Sequence, residues 1–562
     1  MSNKVGKNSQ SLNKLNYQSK MTPIQLITRF NSLKSTRYVW DNHWRELCDA
    51  MLPRKNDILR EQIPGTRKGI DLYDNTAMHS AELLAGALHG LLTNPATYFF
   101  GLSAGVPEID DDDEVRSWCQ DTTHRMHNVF NESNFQTEIH EVYIDEAVLG
   151  TAALSIEEDN DYVVKFKAWH IKNVYLDEDP DGKVNRLYRY FKWNADKIMK
   201  AFGIENVSKD VMKCIESGDS DTTFELVHGI YPSNPKEKNA HRWISQYVEL
   251  NSRKELKVGG YNEFPYCTPR WVKISEEIYG RSCGMTALPE AKTINEQVRQ
   301  SLIASQKIID PPMQLPDDGF VLPIKTRPGG LNYFRTGMAP QDRIQPLFQQ
   351  AIRLDISDSQ CAERRGRIKE AFYVDQLSLG QNNPQMTATE VNARQEQAMT
   401  LLGPILGRQQ AELLQPLIGR VFSIMNRKKL LKPIPNRLRQ HGKIVAKYTS
   451  LVAIAQRQVE ARSISKFLDA LTPFTNADPS VMDNLNGDKS ARLLGKIYGI
   501  PQEVLRDKKD IIDMRKQRAQ AQQQQAQQQQ EEHQANVASK ALPAAAQLQQ
   551  AQKQNSGGNG GQ

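Results

Sequence analysis

Cysteine is scarce in this 562-residue sequence, and its placement implies no chemistry. The six residues, Cys48, Cys119, Cys214, Cys267, Cys283 and Cys361, stand far apart with no C-x-x-C pair. Neither a zinc site nor a disulfide framework is suggested, and reduced buried thiols are expected. No apolar run approaches the ~18–20 residues of a membrane-crossing helix, so no spanning segment is expected. The first twenty residues, MSNKVGKNSQSLNKLNYQSK, contain lysine but no apolar core and read as a disordered arm, not a secretion signal. A Walker P-loop is absent, because Gly6-Lys7, Gly182-Lys183, Gly442-Lys443 and Gly495-Lys496 are each followed by a residue other than Ser or Thr. Charge of one sign is also lacking. The 72 Lys+Arg against 66 Asp+Glu leave +6, too balanced for a surface that grips nucleic acid everywhere. Contact with DNA must be local. At roughly 150 residues per unit the chain holds about three or four domains.

What is present changes character along the chain. Thr22-Pro23-Ile24-Gln25 has the form of a capping box with Pro in the first turn, and predicts a long helix whose apolar positions include Ile24, Ile27, Phe30, Leu33, Tyr38, Trp40, Trp44, Leu47 and Met51, stopped by Pro53. Further helices are expected over 76–92, 115–132 and 135–149. Short alternating runs then dominate 151–280, punctuated by Asp179-Pro180-Asp181-Gly182 and Gly259-Gly260, and predict a β-rich domain with helical insertions near 195–202 and 209–217. Two helical stretches, 290–309 and 347–372, bracket a Pro- and Gly-rich piece; the second has an interrupted stripe of Leu347, Ala351, Leu354, Cys361, Ile368 and Phe372. A polar loop over 373–386 ends at a second capping box, Thr387-Ala388-Thr389-Glu390. It opens a long helix that Pro404 and Pro416 should kink. More helices are expected between 451 and 517, before a Gln/Ala-rich and finally Gly/Ser/Asn-rich tail.

Several motifs invite a catalytic reading and fail on context. Gly101-Leu102-Ser103-Ala104-Gly105 spells G-x-S-x-G, but Val106-Pro107 and an acidic run follow where the helix of a nucleophile elbow should begin, so Ser103 is expected at an ordinary strand end. Asp110-Asp111-Asp112-Asp113-Glu114 offers carboxylates for a divalent metal, yet consecutive carboxylates repel, and a solvated helix start explains the same letters. His124 and His127, with Asp121 nearby, form the only compact His pair and fit a helix face as well as a metal site. No metal or other cofactor is expected. Arg364-Arg365-Gly366-Arg367-Ile368-Lys369 is the densest basic cluster. It either complements a helix end or meets phosphates.

The chain resembles the portal, or head-to-tail connector, proteins of short-tailed, podovirus-type bacteriophages. The markers are Trp40…Trp44…Leu52-Pro53, Leu72-Tyr73-Asp74 leading to Leu83-Leu84-Ala85-Gly86-Ala87-Leu88, Tyr279-Gly280-Arg281-Ser282, and Thr387-Ala388-Thr389-Glu390-Val391. Their order along the chain, with helix, Pro-rich insertion, helix, polar loop and kinked helix, carries the likeness. The resemblance implies an α+β, predominantly helical fold in a ring of about twelve subunits, a heterologous cyclic assembly. It implies an arm over 1–21, a wing over 22–285 (helical 22–150, β-rich 151–280), and stem helices over 286–309 and 347–372 around a clip over 310–346. A channel loop over 373–386, a kinked helix returning to the wing over 387–449, a helical crown over 450–517 and a tail over 518–562, whose start has room for a barrel helix before disorder, would follow.

The implied function is structural, not enzymatic: the ring at the unique capsid vertex of the virion, made in the host bacterial cytoplasm, through which double-stranded DNA is packaged and later ejected. The implied partners are further copies of the chain, double-stranded DNA read without sequence specificity, major capsid and scaffolding proteins, the terminase motor, tail adaptor and nozzle proteins, and internal core proteins; no membrane is involved. On this reading Arg364, Arg365, Arg367 and Lys369 would form a positive ring in the upper stem, and Gln381, Asn382 and Asn383 neutral contacts to packaged DNA. Asp317, Asp318, Lys325 and Arg327 would dock motor and tail. The alternatives are a metal-dependent nuclease using the 110–114 carboxylates, a serine hydrolase at Ser103, or a helical scaffold or adaptor that forms no ring.

Overall fold

The computed structural model describes residues 20–61, 63–110, 112–233, 241–314, 333, 345–346, 354–377, 403–441, 444–448, 463–464, 466–467, 469–470, 486–497 and 510–529. The chain forms two compact units, the first from 1–101, 122–432 and 446–452 and the second from 102–121, 433–445 and 453–562. Helix and sheet are mixed.

The first unit opens with α1 (Pro23–Met51), and its capping box is in place: Gln25 N–H donates to Thr22 Oγ1 at 3.3 Å and Thr22 N–H to Gln25 Oε1 at 2.9 Å. The buried face is not the one counted from apolar letters. Ile24 and Tyr38 are 57% and 62% exposed, whereas Arg37 and Asp41 are buried in line with Leu26, Phe30, Leu33, Trp44 and Leu47. The reason is a polar seat. The Arg37 guanidinium donates to the carbonyls of Ile171, Lys172 and Val174 at 2.6–2.9 Å, lies 3.6 Å over the Tyr175 ring and pairs with Asp41 at 2.9 Å. Hydrophobic periodicity cannot register a cation that is buried because three carbonyls, an aromatic ring and a carboxylate surround it.

α2 (Thr76–Leu92), α3 (Asp113–Glu132) and α4 (Phe135–Leu149) follow where helices were expected, with Leu84, Ala85 and Leu88 of α2 buried and Leu83 41% exposed. The 151–280 stretch is β-rich. Strands β1 (Leu154–Glu158), β2 (Val164–Ala168) and β8 (Tyr266–Cys267) form an antiparallel sheet with β1 central. Strands β3 (Val174–Glu178), β4 (Val184–Asn194), β5 (Thr223–Pro232), β6 (Trp243–Glu249) and β7 (Glu255–Tyr261) form a meander in chain order. Alternation gives the meander two apolar faces. Tyr175, Tyr188, Val227, Tyr231, Ile244 and Val248 meet Leu26, Phe30 and Leu33 of α1. On the other face Phe224 and Leu226 pack on the two insertions, α5 (Ala195–Phe202) and α6 (Lys209–Glu216).

Next comes α7 (Cys283–Ile309), which starts before residue 286 because Ser282 caps it: Met285 N–H donates to Ser282 Oγ at 3.0 Å. Strands β9 (Met313–Gln314) and β10 (Gln345–Pro346) pair antiparallel, and α8 (Leu354–Ala371) returns beside α7. The chain is helical again over 403–409, passes through a π turn at Gln410–Leu414 and continues as α9 (Gln415–Arg427). Pro416 explains the turn. It has no N–H to give and its ring would strike the carbonyl four residues back, and the widened turn before it, where Gln415 N–H donates to Gln410 O, leaves room.

The second unit is held by ion pairs, Arg437 with Asp112 at 2.5 Å, Arg492 with Asp113 at 2.9 Å and Arg515 with Asp488 at 2.7 Å. Its described helices include Asn436–His441, Gly487–Ile497 and one over 510–529 that runs into the Gln-rich tail. None of the six cysteines is in a disulfide; five are buried and Cys214 is half-buried. Among the described residues no helix is long and apolar enough to cross a membrane.

Candidate functional site

Three of the sequence markers, those around Trp40–Trp44, Leu72–Asp74 and Tyr279–Ser282, meet at the root of the α7–α8 hairpin. Trp44 Nε1 donates to Leu149 O at 3.0 Å, and its ring meets Tyr279 edge-on at 5.0 Å. Trp40 lies 5.7 Å from Tyr279 and 4.8 Å from the Arg281 guanidinium. Gly150, at φ +80° after α4, faces Gly280 so closely that a Cβ on Gly150 would stand 2.2 Å from the Gly280 oxygen, and a Cβ on Gly280 would stand 2.4 Å from the Gly150 oxygen. Ser282 Oγ completes the junction by donating to Val148 O at 2.7 Å. The Leu72-Tyr73-Asp74 marker ties in both hairpin helices. Asn295 Oδ1 of α7 accepts from the N–H of Tyr73 at 2.6 Å and of Asp74 at 3.2 Å, and Asp74 pairs with Arg365 of α8 at 2.9 Å.

Among the described residues, the hairpin keeps one antiparallel register from Glu290 to Ser301. Glu290 faces Arg364 and Arg367, Gln297 faces Gln360, and Ser301 Oγ lies 2.7 Å from Ser357 Oγ. The β9–β10 ladder, Met313 opposite Pro346 and Gln314 opposite Gln345, continues it. At 1.5 Å per residue, α7 is about 40 Å long. Only its first half is buried: Cys283, Gly284, Ala287, Leu288, Ala291 and Ile294. Beyond them Leu302 (49%), Ile308 (48%) and Ile309 (82%) are exposed, as are Met313 (41%) and, on α8, Ile356 (47%).

Of the basic cluster, three members are already answered within the chain. Arg364 pairs with Glu290 at 2.7 Å, Arg367 with Glu290 at 3.3 Å and Glu363 at 2.7 Å, and Arg365 with Asp74. The bond from Arg364, with the weaker one from Arg367, holds the Glu290 carboxyl below the usual range. Burial would raise Asp74, but bonds from Thr76 and Arg365 outweigh it and hold that carboxyl low. Lys369 is exposed and makes no ion pair among the described residues. Gln381, Asn382 and Asn383, and Asp317, Asp318, Lys325 and Arg327, lie outside the described residues, as does the Thr387–Val391 marker.

The sequence reading missed the set that anchors the helix over 403–427. The buried Arg270 guanidinium donates to both oxygens of Glu412 at 2.7 and 3.0 Å, pairs with Glu178 and donates to the carbonyls of Gly182 and Ile278. Arg420 donates to Glu263 at 3.0 Å, and Arg427 to Glu158 at 2.6 Å and Glu263 at 2.9 Å. Gln409 reaches Glu146 on α4. Most of these partners are more than a hundred residues apart, and no local spacing announces them.

The catalytic alternatives meet a different geometry. Ser103 Oγ donates to Asp110 at 2.5 Å, a carboxylate that also accepts from Ala104 N–H at 2.7 Å. Asp112 and Asp113 are each held by an arginine, and Asp111 lies outside the described residues. Among the described residues no group of three or more His, Cys, Asp or Glu is placed to hold a metal. The two histidines look apart. His124 Nδ1 bonds the Tyr98 hydroxyl at 2.7 Å, while His127 is buried on the Phe100 ring with Nε2 at 3.1 Å from the Phe100 carbonyl, and burial lowers its pKa to about 4.

Comparison with known proteins places these features. A family model described as bacteriophage head to tail connecting protein matches residues 24–505. The "Probable portal protein" of Bordetella phage BPP-1 is 31% identical over 506 residues, 88% of this chain and 90% of that protein. The "Portal protein" of Salmonella phage epsilon15 is 29% identical over 510 residues, again 88% and 90% of the two chains. Among solved structures, a chain of the virion of a native gene transfer agent particle aligns with a TM-score of 0.34 and 12% identity, over 74% of this chain and 91% of that one, too low a score to equate the folds.

Proposed function

The chain belongs to the bacteriophage head to tail connecting protein family, and from that premise we infer that it is the portal of a phage capsid, the part of the vertex through which DNA is packaged and later leaves. Copies close into a ring of about twelve, a heterologous contact that closes on itself. The α7–α8 hairpins stand side by side around the bore, residues 310–346 meet the packaging motor and then the tail, and residues 373–386 reach toward the DNA. Capsid and scaffolding proteins meet the wing.

One observation carries the ring. The outer half of the hairpin leaves Leu302, Ile308, Ile309, Met313 and Ile356 uncovered in a single chain, and apolar side chains grouped on one projecting element mark a surface that another chain covers. The charge pattern suits a conduit. Tight neutralisation of many phosphates would tie binding steeply to salt and resist movement. Three of the four cations at 364–369 are answered locally, so the ring's field on DNA comes from Lys369 and from the unspent part of the arginines, multiplied by symmetry. Negative-stain images of the purified protein test this reading. Closed rings with an open axis are expected; monomers, or oligomers without a bore, overturn it.

A further inference from the structure

Glu146, on α4, is a carboxyl buried without a cation: it is 0% exposed and makes no ion pair among the described residues. The group opposite is the amide of Gln409, also 0% exposed and the last residue before the π turn. Gln409 Nε2 donates to one carboxyl oxygen of Glu146. The remaining oxygens, Glu146 Oε2 and Gln409 Oε1, are both buried and have no hydrogen-bond partner. Both are acceptors if Glu146 is ionised, and neither can satisfy the other. A proton on Oε2 removes the conflict. A carboxylic acid and a primary amide join through two bonds, N–H to one carboxyl oxygen and O–H to the amide oxygen.

The surroundings favour that proton. Burial, before anything else, pushes the carboxyl up to about 8, against the single bond from Gln409. Glu412, from the helix over 403–427, and Asp145, the neighbour on α4, both act against a second negative charge. Each has its own cation, Arg270 for Glu412 and Lys55 for Asp145. Tyr143, the other titratable group on α4 that feels Glu146, bonds Thr93 of the segment after α2 at 3.3 Å and stays neutral. No cation from α1, α2 or α7 bonds Glu146 among the described residues. The π turn beside Gln409, followed by Pro416, is the part of this helix with the least regular backbone bonding, so it is where the helix can bend.

We propose that Glu146 is a positioning residue held as the neutral acid, whose proton closes a two-bond latch on Gln409 and fixes the root of the helix that follows residues 378–402. Loss of the proton opens the latch and lets that root move. The consequence for DNA rests on the portal reading above; the latch itself does not.

Hydrogen–deuterium exchange of the full chain between pH 6 and 10, corrected for intrinsic exchange, tests it on peptides spanning 403–415. Wild-type protection is expected to fall about tenfold per pH unit as pH rises from 6 toward 8 and to level off above that value. Glu146→Gln, whose amide closes the same pair with nothing to titrate, should stay protected throughout. A flat wild-type profile, the same pH dependence surviving in Glu146→Gln, or an equal fall in α2 peptides would each overturn the latch. Imaging the same samples reports ring closure separately, so missing rings would remove the portal reading and leave the exchange result to stand or fall alone.

Discussion

Gly150 and Gly280 show how much of this fold turns on single atoms. Each backbone oxygen occupies the place a Cβ on the other residue would need, so neither glycine can be exchanged without moving α7 away from α4. Gly280→Ala is expected to cost about 3 kcal/mol, the upper end for overpacking, seen as a lower urea midpoint by circular dichroism. Gly86 is the internal control. It sits exposed inside α2, and a methyl added there would meet nothing within 4 Å. Gly86→Ala should therefore raise stability by about 0.5–1 kcal/mol through lost unfolded-state freedom. The Tyr279-Gly280-Arg281-Ser282 marker is legible in the sequence as a motif. Its reason is not, because the partner oxygen belongs to a residue 130 positions earlier.

At the scale of the element, the hairpin's own carboxylates set how much positive charge it can offer. Glu290 keeps contact with solvent, and its pair with Arg364 is worth less than about 1 kcal/mol once water screens it. Glu290→Gln should therefore leave the urea midpoint almost unchanged while releasing Arg364 and Arg367. On the portal reading proposed above, this variant should bind duplex DNA more tightly than wild type at low salt, with a steeper fall of affinity as salt rises; equal salt slopes would show that these arginines do not reach DNA. Helices with strong caps or proline stops were readable from the letters: α1 from Thr22 and Pro53, and α7 up to Asp310-Pro311. Their buried faces were less so. The face of α1 was misjudged at Ile24 and Tyr38 because Arg37 and Asp41 take core positions, and the basic cluster announced charge without announcing that Glu290, Glu363 and Asp74 answer it. Periodicity reports solubility along one segment, and these partnerships are settled between segments.

Across the whole molecule, buried titratable groups give stability a definite pH profile. His127 and His170 are neutral in the fold, with pKa values lowered by burial to about 4 and about 3. The unfolded chain binds their protons first, so stability is lost as pH falls below the ordinary histidine value of ~6.5. Glu146 works the other way. Its folded pKa is raised to about 8, so the fold holds a proton that the unfolded chain has released, and stability falls as pH rises toward that value. These groups place the maximum near pH ~6.5, with an alkaline slope of about 1.4 kcal/mol per unit up to the Glu146 transition. Denaturation midpoints across pH 5–9 should show that slope in wild type and lose it in Glu146→Gln.

The common register of the α7–α8 hairpin and its β9–β10 ladder has a consequence for how such chains can diverge in length. One residue added to a single arm would rotate everything beyond it by about 100° and swing Glu290, Gln297 or Ser301 off their opposite numbers. Any number added between Gln314 and Gln345 leaves both arms untouched. Length can thus change between the two strands, as a cassette exchanged on a fixed handle, while the handle keeps its spacing.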